Sequence, residues 1–278
     1  IPYFFAILTA GIPLLILEYT IGKTYRGGAP VTLARMNKKF ELLGWFQVMV
    51  AFVISTYYMA IIVWTVRYIG FSFNLAWGDD PSGFFMDFLG ATESATDLGQ
   101  LQTNMILAFL VVWAIVAFIM YKGIRKGIEI ACRITLPILM LLIVILVIRG
   151  ATLPGAVDGL EFLFKPDWGA LKDPSVWVAA YGQIFFSLSV GFAIMVSYSS
   201  YLPKKSDVVN SAFITATANH GFEVFTAIGI FGIVGYMAGQ QGAEVAEVAS
   251  SGVGLAFITF PTAISSLPAL NAVFGVCF

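Results

Sequence analysis

The chain has 278 residues, of which 59% are hydrophobic and 11% are charged, and its formal net charge is −1. A soluble domain carries about a quarter charged residues, so this composition excludes an ordinary soluble protein and indicates a chain embedded in a bilayer. Two cysteines, neither near another thiol or the single histidine, argue against both a disulfide framework and a cysteine-based metal site.

Apolar runs long enough to cross a membrane recur along the whole chain. A spanning helix needs about 20 mostly apolar residues. The runs that meet this requirement, followed by the start of another, are 1–21, 43–70, 101–121, 128–149, 175–201, 208–238 and from about 268. We therefore predict an all-α polytopic membrane protein. Because the chain opens and stops inside apolar runs, we expect one transmembrane domain, 1–278, truncated at both ends.

The connections between these runs alternate in charge. The basic connections are 22–41, 122–127 and 203–207, and eleven of the fifteen Lys and Arg residues lie in or beside them. The longer connections carry mostly acids and are 71–100, 150–174 and 239–267. Since basic residues accumulate on the cytoplasmic side of membranes, we expect the basic loops in the cytoplasm and a multi-pass topology.

The last acidic connection continues into the partly apolar stretch VASSGVGLAFITFPTAISSLPAL, residues 248–270. Pro261 and Pro268 divide it into pieces that are too short to span a bilayer. We therefore predict a re-entrant or lid-like hairpin here and not an additional full helix.

A polar stripe runs along the sixth apolar run. Ser211, Thr215, Asn219 and Glu223 recur every four residues, which places them on one helical face. Hydrogen bonding between helices accounts for the first two, whereas Asn219 with Glu223 favours a functional role, because ionisable groups at membrane depth are costly. His220 points about 100° away from Asn219 on a helix, which favours a structural role or a loose pH modulator.

The fifth run, GQIFFSLSVGFAIMVSYSSY (182–201), is interrupted in its middle. Gln183 and Ser187 share one face, and Ser189 and Gly191 then weaken the helix. An unwound segment lining a cavity exposes backbone dipoles that bind a cation and a zwitterionic solute. Small residues in close helix packing explain the same composition, and the residues alone leave both interpretations open.

Three further features have ordinary explanations by themselves. Glu18 near the end of the first run fits a boundary residue that reaches the interface. Tyr58, with its neighbours Ser55 and Tyr57, suggests that one hydroxyl at mid-depth meets a polar partner. Gly127 and Pro137 in the fourth run mark a kink.

Four stretches nevertheless resemble one family, the neurotransmitter:sodium symporters, and in particular their bacterial amino-acid transporters. They are IPYFFAILTAGIPLLILEYTIGK (1–23), ISTYYMAIIVW (54–64), GAVDGLEFLFKPDWGALKDPSVWVAAYGQIFFSLSVGFAIMVSYSSY (155–201) and TATANHGFEV (215–224). The resemblance covers the family's helices 2 to early 8. It implies a partial inverted-repeat transporter fold with a discontinuous helix around Ser187–Gly191.

The resemblance also implies a substrate and sodium site. Ser187 and Asn219 match sodium ligands, neutral oxygens of a kind that suits a hard monovalent cation. Tyr58 matches the tyrosine that meets the substrate carboxylate. The residues that match the remaining substrate positions are Ile54, Phe186, Ser187, Ser189 and Phe192.

Glu223 is the most informative match. Chloride-dependent members carry a small hydroxyl residue there, whereas bacterial chloride-independent members have a carboxylate that supplies the negative charge. Tyr3, Gln183, Ser187 and Asn219 match the residues around it. Glu18 matches a buried glutamate that supports the broken helix, and Gly127 with Pro137 matches a motif of the inner sodium path.

We therefore expect chloride-independent, sodium-coupled symport of a neutral amino acid with an apolar or aromatic side chain, by alternating access, in a prokaryotic inner membrane. Sodium is the expected coupling ion, and we expect no other cofactor, no enzyme activity and no nucleic-acid partner. The sequence leaves open whether the protein forms a homo-oligomer. Since the family's helix 1 and most of helix 8 are absent, the chain alone is expected to be inactive. The alternative is a helical channel or receptor-like bundle with a polar packing stripe.

Overall fold

The structure is a computed structural model that describes residues 1–90, 103–249 and 254–266. Within these ranges all regular structure is helical and there is no strand. The helices are α1 (Pro2–Tyr25), α2 (Ala29–Met36), α3 (Glu41–Ser72), α4 (Pro81–Leu89), α5 (Thr103–Tyr121), α6 (Ile124–Ala151), α7 (Ala156–Phe164), α8 (Pro174–Ser187), α9 (Ile194–Ser199), α10 (Val208–Gln241), α11 (Val245–Val248) and α12 (Phe260–Ser266). The predicted all-α class is confirmed.

Four of these helices, α1, α3, α6 and α10, are long and apolar enough to cross a membrane. Their ends lie within about one helical turn of the predicted spans. The predicted fifth span, 175–201, is divided between α8 and α9. The run predicted from about 268 lies outside the described residues.

Local sequence explains where the shorter helices begin. Asp173 precedes α8, and its side chain accepts a hydrogen bond of 2.8 Å from the backbone N–H of Ser175. Asp80 caps α4 in the same way, through the N–H of Gly83 at 2.9 Å. In both helices a proline occupies the first turn, where its missing N–H costs no hydrogen bond.

The chain forms two compact units. The first comprises Ile1–Tyr57 and Lys165–Val224. Within it α9 packs along the second half of α1, where a Cβ on Gly22 would collide with the side chain of Ser199 and the carbonyl of Val196. A small residue therefore permits this close approach of two helices.

The second unit comprises Tyr58–Phe164 and Phe225–Phe278. Its core is aromatic: the ring of Phe257 lies 5.0 Å from that of Tyr68 and stacks on Phe85 at 5.3 Å. Trp77 belongs to the same core and donates a 2.9 Å hydrogen bond to Ser265. In the predicted hairpin the described residues form α12 and a preceding π turn, together shorter than the roughly 20 residues a span requires.

Candidate functional site

The break between α8 and α9 is the centre of the candidate site. Ser189, Gly191 and Ala193 adopt positive φ angles of 53°, 82° and 62°. A left-handed conformation costs a non-glycine residue about 1–2 kcal/mol, so the surrounding structure must hold this segment in place. The helix discontinuity predicted around Ser187–Gly191 is confirmed.

Glu18 of α1 holds one end of the break. Its side chain is buried, and Oε1 accepts a 2.8 Å hydrogen bond from the backbone N–H of Gly191. The other oxygen, Oε2, is buried without a partner among the described residues. The carboxylate thus satisfies a backbone donor that unwinding has removed from the helical hydrogen-bond pattern.

A second carboxylate, Glu223 of α10, lies in a cluster of polar side chains in the first unit. Its Oε1 accepts hydrogen bonds from the hydroxyl of Ser187 and, at 3.0 Å, from Nδ2 of Asn219. Its Oε2 accepts one from the hydroxyl of Tyr3. Helices α1, α8 and α10 each supply members of this cluster, which joins residues up to 220 positions apart.

His220 also belongs to this cluster. Its ring is buried, and Nδ1 hydrogen-bonds with the hydroxyl of Tyr3 and lies 3.7 Å from Oε2 of Glu223. The rings of His220 and Tyr3 are 4.3 Å apart. The sequence prediction based on its angle to Asn219 missed these contacts. The signal that was available is the three-residue spacing to Glu223, which brings two side chains together on a helix.

The cluster offers neutral oxygens beside a fixed negative charge. Asn219 uses Nδ2 to reach Ser187, at 2.5 Å, and Glu223, so its carbonyl oxygen is the side-chain atom left to accept. The hydroxyl of Ser187 donates to Glu223 and keeps a lone pair for a further contact. Within the described chain no lysine or arginine pairs with Glu223. These oxygens therefore suit a monovalent cation.

The other half of the polar stripe has a plainer role. Thr215 bonds the carbonyl of Ser211 at 2.8 Å, and Ser211 bonds that of Asp207 at 2.6 Å. Tyr19 of α1 lies 3.4 Å from the Thr215 hydroxyl. The contact between Thr215 and Tyr19 joins two helices, as predicted, whereas the bonds of Ser211 and Thr215 to backbone carbonyls stay within their own helix.

Two of the predicted apolar positions flank the break in sequence. The rings of Phe186 and Phe192 are 6.3 Å apart at an angle of 72° and flank Ser189 in sequence. Ile54 is partly buried and belongs to the same unit, whereas Tyr58 begins the second unit and is half-exposed. The role of Tyr58 at the substrate carboxylate stays a prediction.

Three predicted site residues remain, one in the first unit and two in the second. Gln183 is exposed one turn before Ser187 and forms no hydrogen bond with any described residue of the cluster. Gly127 lies in the π turn that begins α6, and Pro137 lies inside that helix. The role predicted for Gly127 and Pro137 in an inner sodium path stays a prediction.

Comparison with known proteins places these features in context. The sequence model of the "Sodium:neurotransmitter symporter family" matches residues 1–84 and 79–278. A protein of Methanocaldococcus jannaschii named as an uncharacterized sodium-dependent transporter is 42% identical, over 100% of this chain and 57% of its own length.

Animal transporters are also similar. The sodium-dependent dopamine transporter of Caenorhabditis elegans is 32% identical, over 96% of this chain and 51% of its own length. The human sodium- and chloride-dependent GABA transporter 2 is 31% identical, over 100% of this chain and 51% of its own length. The chain thus spans about half the length of the curated relatives it matches. These proteins are transporters by name and not enzymes, which confirms the expectation that the chain is not an enzyme.

Proposed function

Because the chain belongs to the sodium:neurotransmitter symporter family, we propose that it forms part of a transporter that couples uptake of a neutral amino acid to sodium without chloride. The chain acts within a full-length protein, since its relatives are about twice as long. The protein lies in a cell membrane, the inner membrane of a prokaryote, with its basic loops in the cytoplasm.

The observation that carries this proposal is the environment of Glu223. Three hydrogen-bond donors, on Tyr3, Ser187 and Asn219, converge on one carboxylate beside the broken helix. Sodium binds at the neutral oxygens of Ser187 and Asn219, and the fixed charge of Glu223 offsets the cation in a region of low dielectric. A built-in carboxylate makes a bound anion such as chloride unnecessary at this position.

The broken helix supplies the substrate site. Unwound backbone at membrane depth presents carbonyl and N–H groups to a zwitterionic amino acid. Phe186 and Phe192 favour an apolar or aromatic substrate side chain, because their rings contact each other and they flank the left-handed Ser189 in sequence. Glu18 holds the segment in its binding conformation through Gly191.

The driving force follows from membrane electrostatics. Moving one charge across 100 mV is worth about 2.3 kcal/mol, and each tenfold concentration ratio requires about 1.4 kcal/mol. One sodium ion that enters down the membrane potential therefore supports more than tenfold accumulation of a neutral substrate, before its own gradient is added.

The test is uptake of radiolabelled neutral amino acids by the full-length transporter in proteoliposomes, with sodium and chloride varied independently. We expect saturable uptake that needs sodium and ignores chloride. The variant Glu223→Ser removes the fixed charge, and its uptake is expected to require chloride. The matched control, Thr217→Val, lies exposed on the same helix and is expected to leave both ion dependences unchanged.

The same assay separates transport from the alternative of a channel or receptor-like bundle. A channel gives flux that does not saturate with substrate and does not accumulate it against a gradient. Flux indifferent to sodium would overturn the proposal. Chloride-independent uptake by Glu223→Ser would retain the symporter and remove the role given to Glu223.

A further inference from the structure

His220 lies inside the Glu223 cluster without being one of the proposed sodium or substrate ligands. Its ring is 6% exposed, and Nδ1 contacts the hydroxyl of Tyr3. The other ring nitrogen, Nε2, is buried and has no hydrogen-bond partner in the described part of the chain. A buried ring nitrogen without a hydrogen-bond partner costs about 1–3 kcal/mol. The position of His220 therefore calls for an explanation, and its contact with Tyr3 is the place to look for one.

Counting protons identifies the direction of the hydrogen bonds. The hydroxyl of Tyr3 has one proton and two neighbours, Glu223 and His220. An ionised carboxylate only accepts, so the tyrosine proton points to Glu223. The tyrosine oxygen can then only accept from His220, which requires the imidazole to carry a proton on Nδ1. The chain of donors runs from His220 through Tyr3 to Glu223.

We propose that His220 is a positioning residue, which acts through Tyr3 to commit the tyrosine proton to Glu223. A phenol held by one hydrogen bond can rotate away from its acceptor, whereas the second contact and the ring packing at 4.3 Å fix it. Hydrogen bonds in a chain also strengthen one another in a medium of low dielectric. This inference rests on the proposed role of Glu223 and adds the residue that keeps its donor in place.

A consequence follows for sodium affinity. Glu223 carries the negative charge beside the sodium ligands, and its oxygens are shared among three donors. When Tyr3 no longer donates to Oε2, the hydrogen bonds of Ser187 and Asn219 redistribute over the carboxylate. Those two side chains are the proposed sodium ligands. Substitution of His220 therefore changes the sodium affinity although His220 is not itself a sodium ligand.

The test compares two substitutions at His220 in the full-length transporter. Asn places a side-chain N–H at the same bond distance from the backbone as Nδ1, whereas Leu has a similar bulk and no donor. We expect His220→Leu to raise the sodium concentration for half-maximal uptake about tenfold, as expected for one lost hydrogen bond. We expect the sodium concentration for half-maximal uptake by His220→Asn to lie within about twofold of the wild-type value. In both variants the maximal rate at saturating sodium is expected to change less than the sodium affinity.

A double-mutant cycle with Tyr3→Phe shows whether His220 acts through Tyr3. If it does, His220→Leu has no further effect on sodium affinity in a Tyr3→Phe background. Additive effects of the two substitutions would overturn the proposal, and so would an Asn variant that is as impaired as Leu. Sodium-induced thermal stabilisation of the detergent-purified variants gives the same comparison without transport, so that a variant with poor membrane expression is still assessed.

Failure of this inference can be told from failure of the proposed function. If Glu223→Ser requires chloride but the His220 and Tyr3 effects are additive, Glu223 keeps its role and His220 does not position its donor. If uptake by the wild type itself depends on chloride, the role proposed for Glu223 is wrong. The inference about His220, which rests on that role, is then wrong as well.

Discussion

Glu18 and Gly191 are joined by a hydrogen bond of 2.8 Å across 173 positions of sequence. The carboxylate lies on a continuous helix, α1, and the donor is the backbone N–H of a segment that has left the helical pattern. An unwound segment at membrane depth persists only if its freed backbone groups find partners. This single contact links α1 to the backbone conformation of the break between α8 and α9.

Removing that acceptor is expected to destabilise the fold. Glu18→Ala leaves the part-buried N–H of Gly191 without its acceptor, and we expect the free energy of unfolding to fall by about 1 kcal/mol. Glu18→Gln keeps an oxygen at the same position and is expected to cost less. Unfolding of the purified transporter by denaturant in detergent measures both, and a Gln variant as unstable as the Ala variant would contradict this account.

Alanine substitutions at two glycines distinguish backbone strain from steric crowding as causes of lost stability. A Cβ at either Gly191 or Gly182 would meet no atom within 4 Å, but only Gly191 has a positive φ, of 82°. We expect Gly191→Ala to reduce stability by about 1–2 kcal/mol, because alanine resists the left-handed conformation. Gly182→Ala, inside helix α8, is expected to stabilise by about 0.5–1 kcal/mol. Thermal unfolding in detergent compares them, and equal melting temperatures for the two variants would refute the strain assignment.

Gly22 tests crowding. Its Cβ would collide with Ser199 and with the carbonyl of Val196, so alanine must push α9 away from α1. Overpacking of this kind costs about 1–3 kcal/mol. Gly221→Ala serves as the control, since that glycine also lies in a helix and faces open space. Should Gly22→Ala unfold at the same denaturant concentration as Gly221→Ala, the close packing of α1 and α9 would be wrong.

Asp173 gives stability a pH dependence at low pH. The hydrogen bond from the Ser175 backbone N–H lowers the pKa of its carboxyl below the usual 3.8. A group whose pKa is lower in the folded state contributes stability above its unfolded pKa and loses that contribution as the pH falls through the folded value. We expect the free energy of unfolding of the wild type to fall as the pH drops below about 3.8, and to fall less in Asp173→Asn. Unfolding experiments at fixed ionic strength over this pH range measure both proteins. Parallel pH profiles for the two proteins would disprove the effect.

The order and extent of the helices followed from local pattern. Apolar runs of spanning length in the sequence overlap α1, α3, α6 and α10, whereas the cytoplasmic side predicted from the basic connections stays a prediction. The weak residues at Ser187–Gly191 predicted the break between α8 and α9. These features depend on interactions between near neighbours and on transfer of side chains into lipid, both of which a linear sequence records.

The composition of the site was predicted less completely. The four-residue spacing placed Asn219 and Glu223 on one face of α10, and the family resemblance added Tyr3 and Ser187, which the structure brings together. It also added Gln183, which is exposed and whose place in the site stays a prediction. A match by position says which helix turn a residue occupies, but the side-chain direction depends on how that helix is rotated against its neighbours.

His220 shows the difference most clearly. An angle of about 100° from Asn219 on an isolated helix pointed it away from the site, yet Tyr3 of α1 reaches both His220 and Glu223. The sequence by itself determined which segments are helices, where one of them breaks, and which face of α10 is polar, because these are properties of neighbouring residues. Only the tertiary structure decided which side chains share a proton or hold a backbone N–H, because those contacts exist only once residues some 170 to 220 positions apart have packed together.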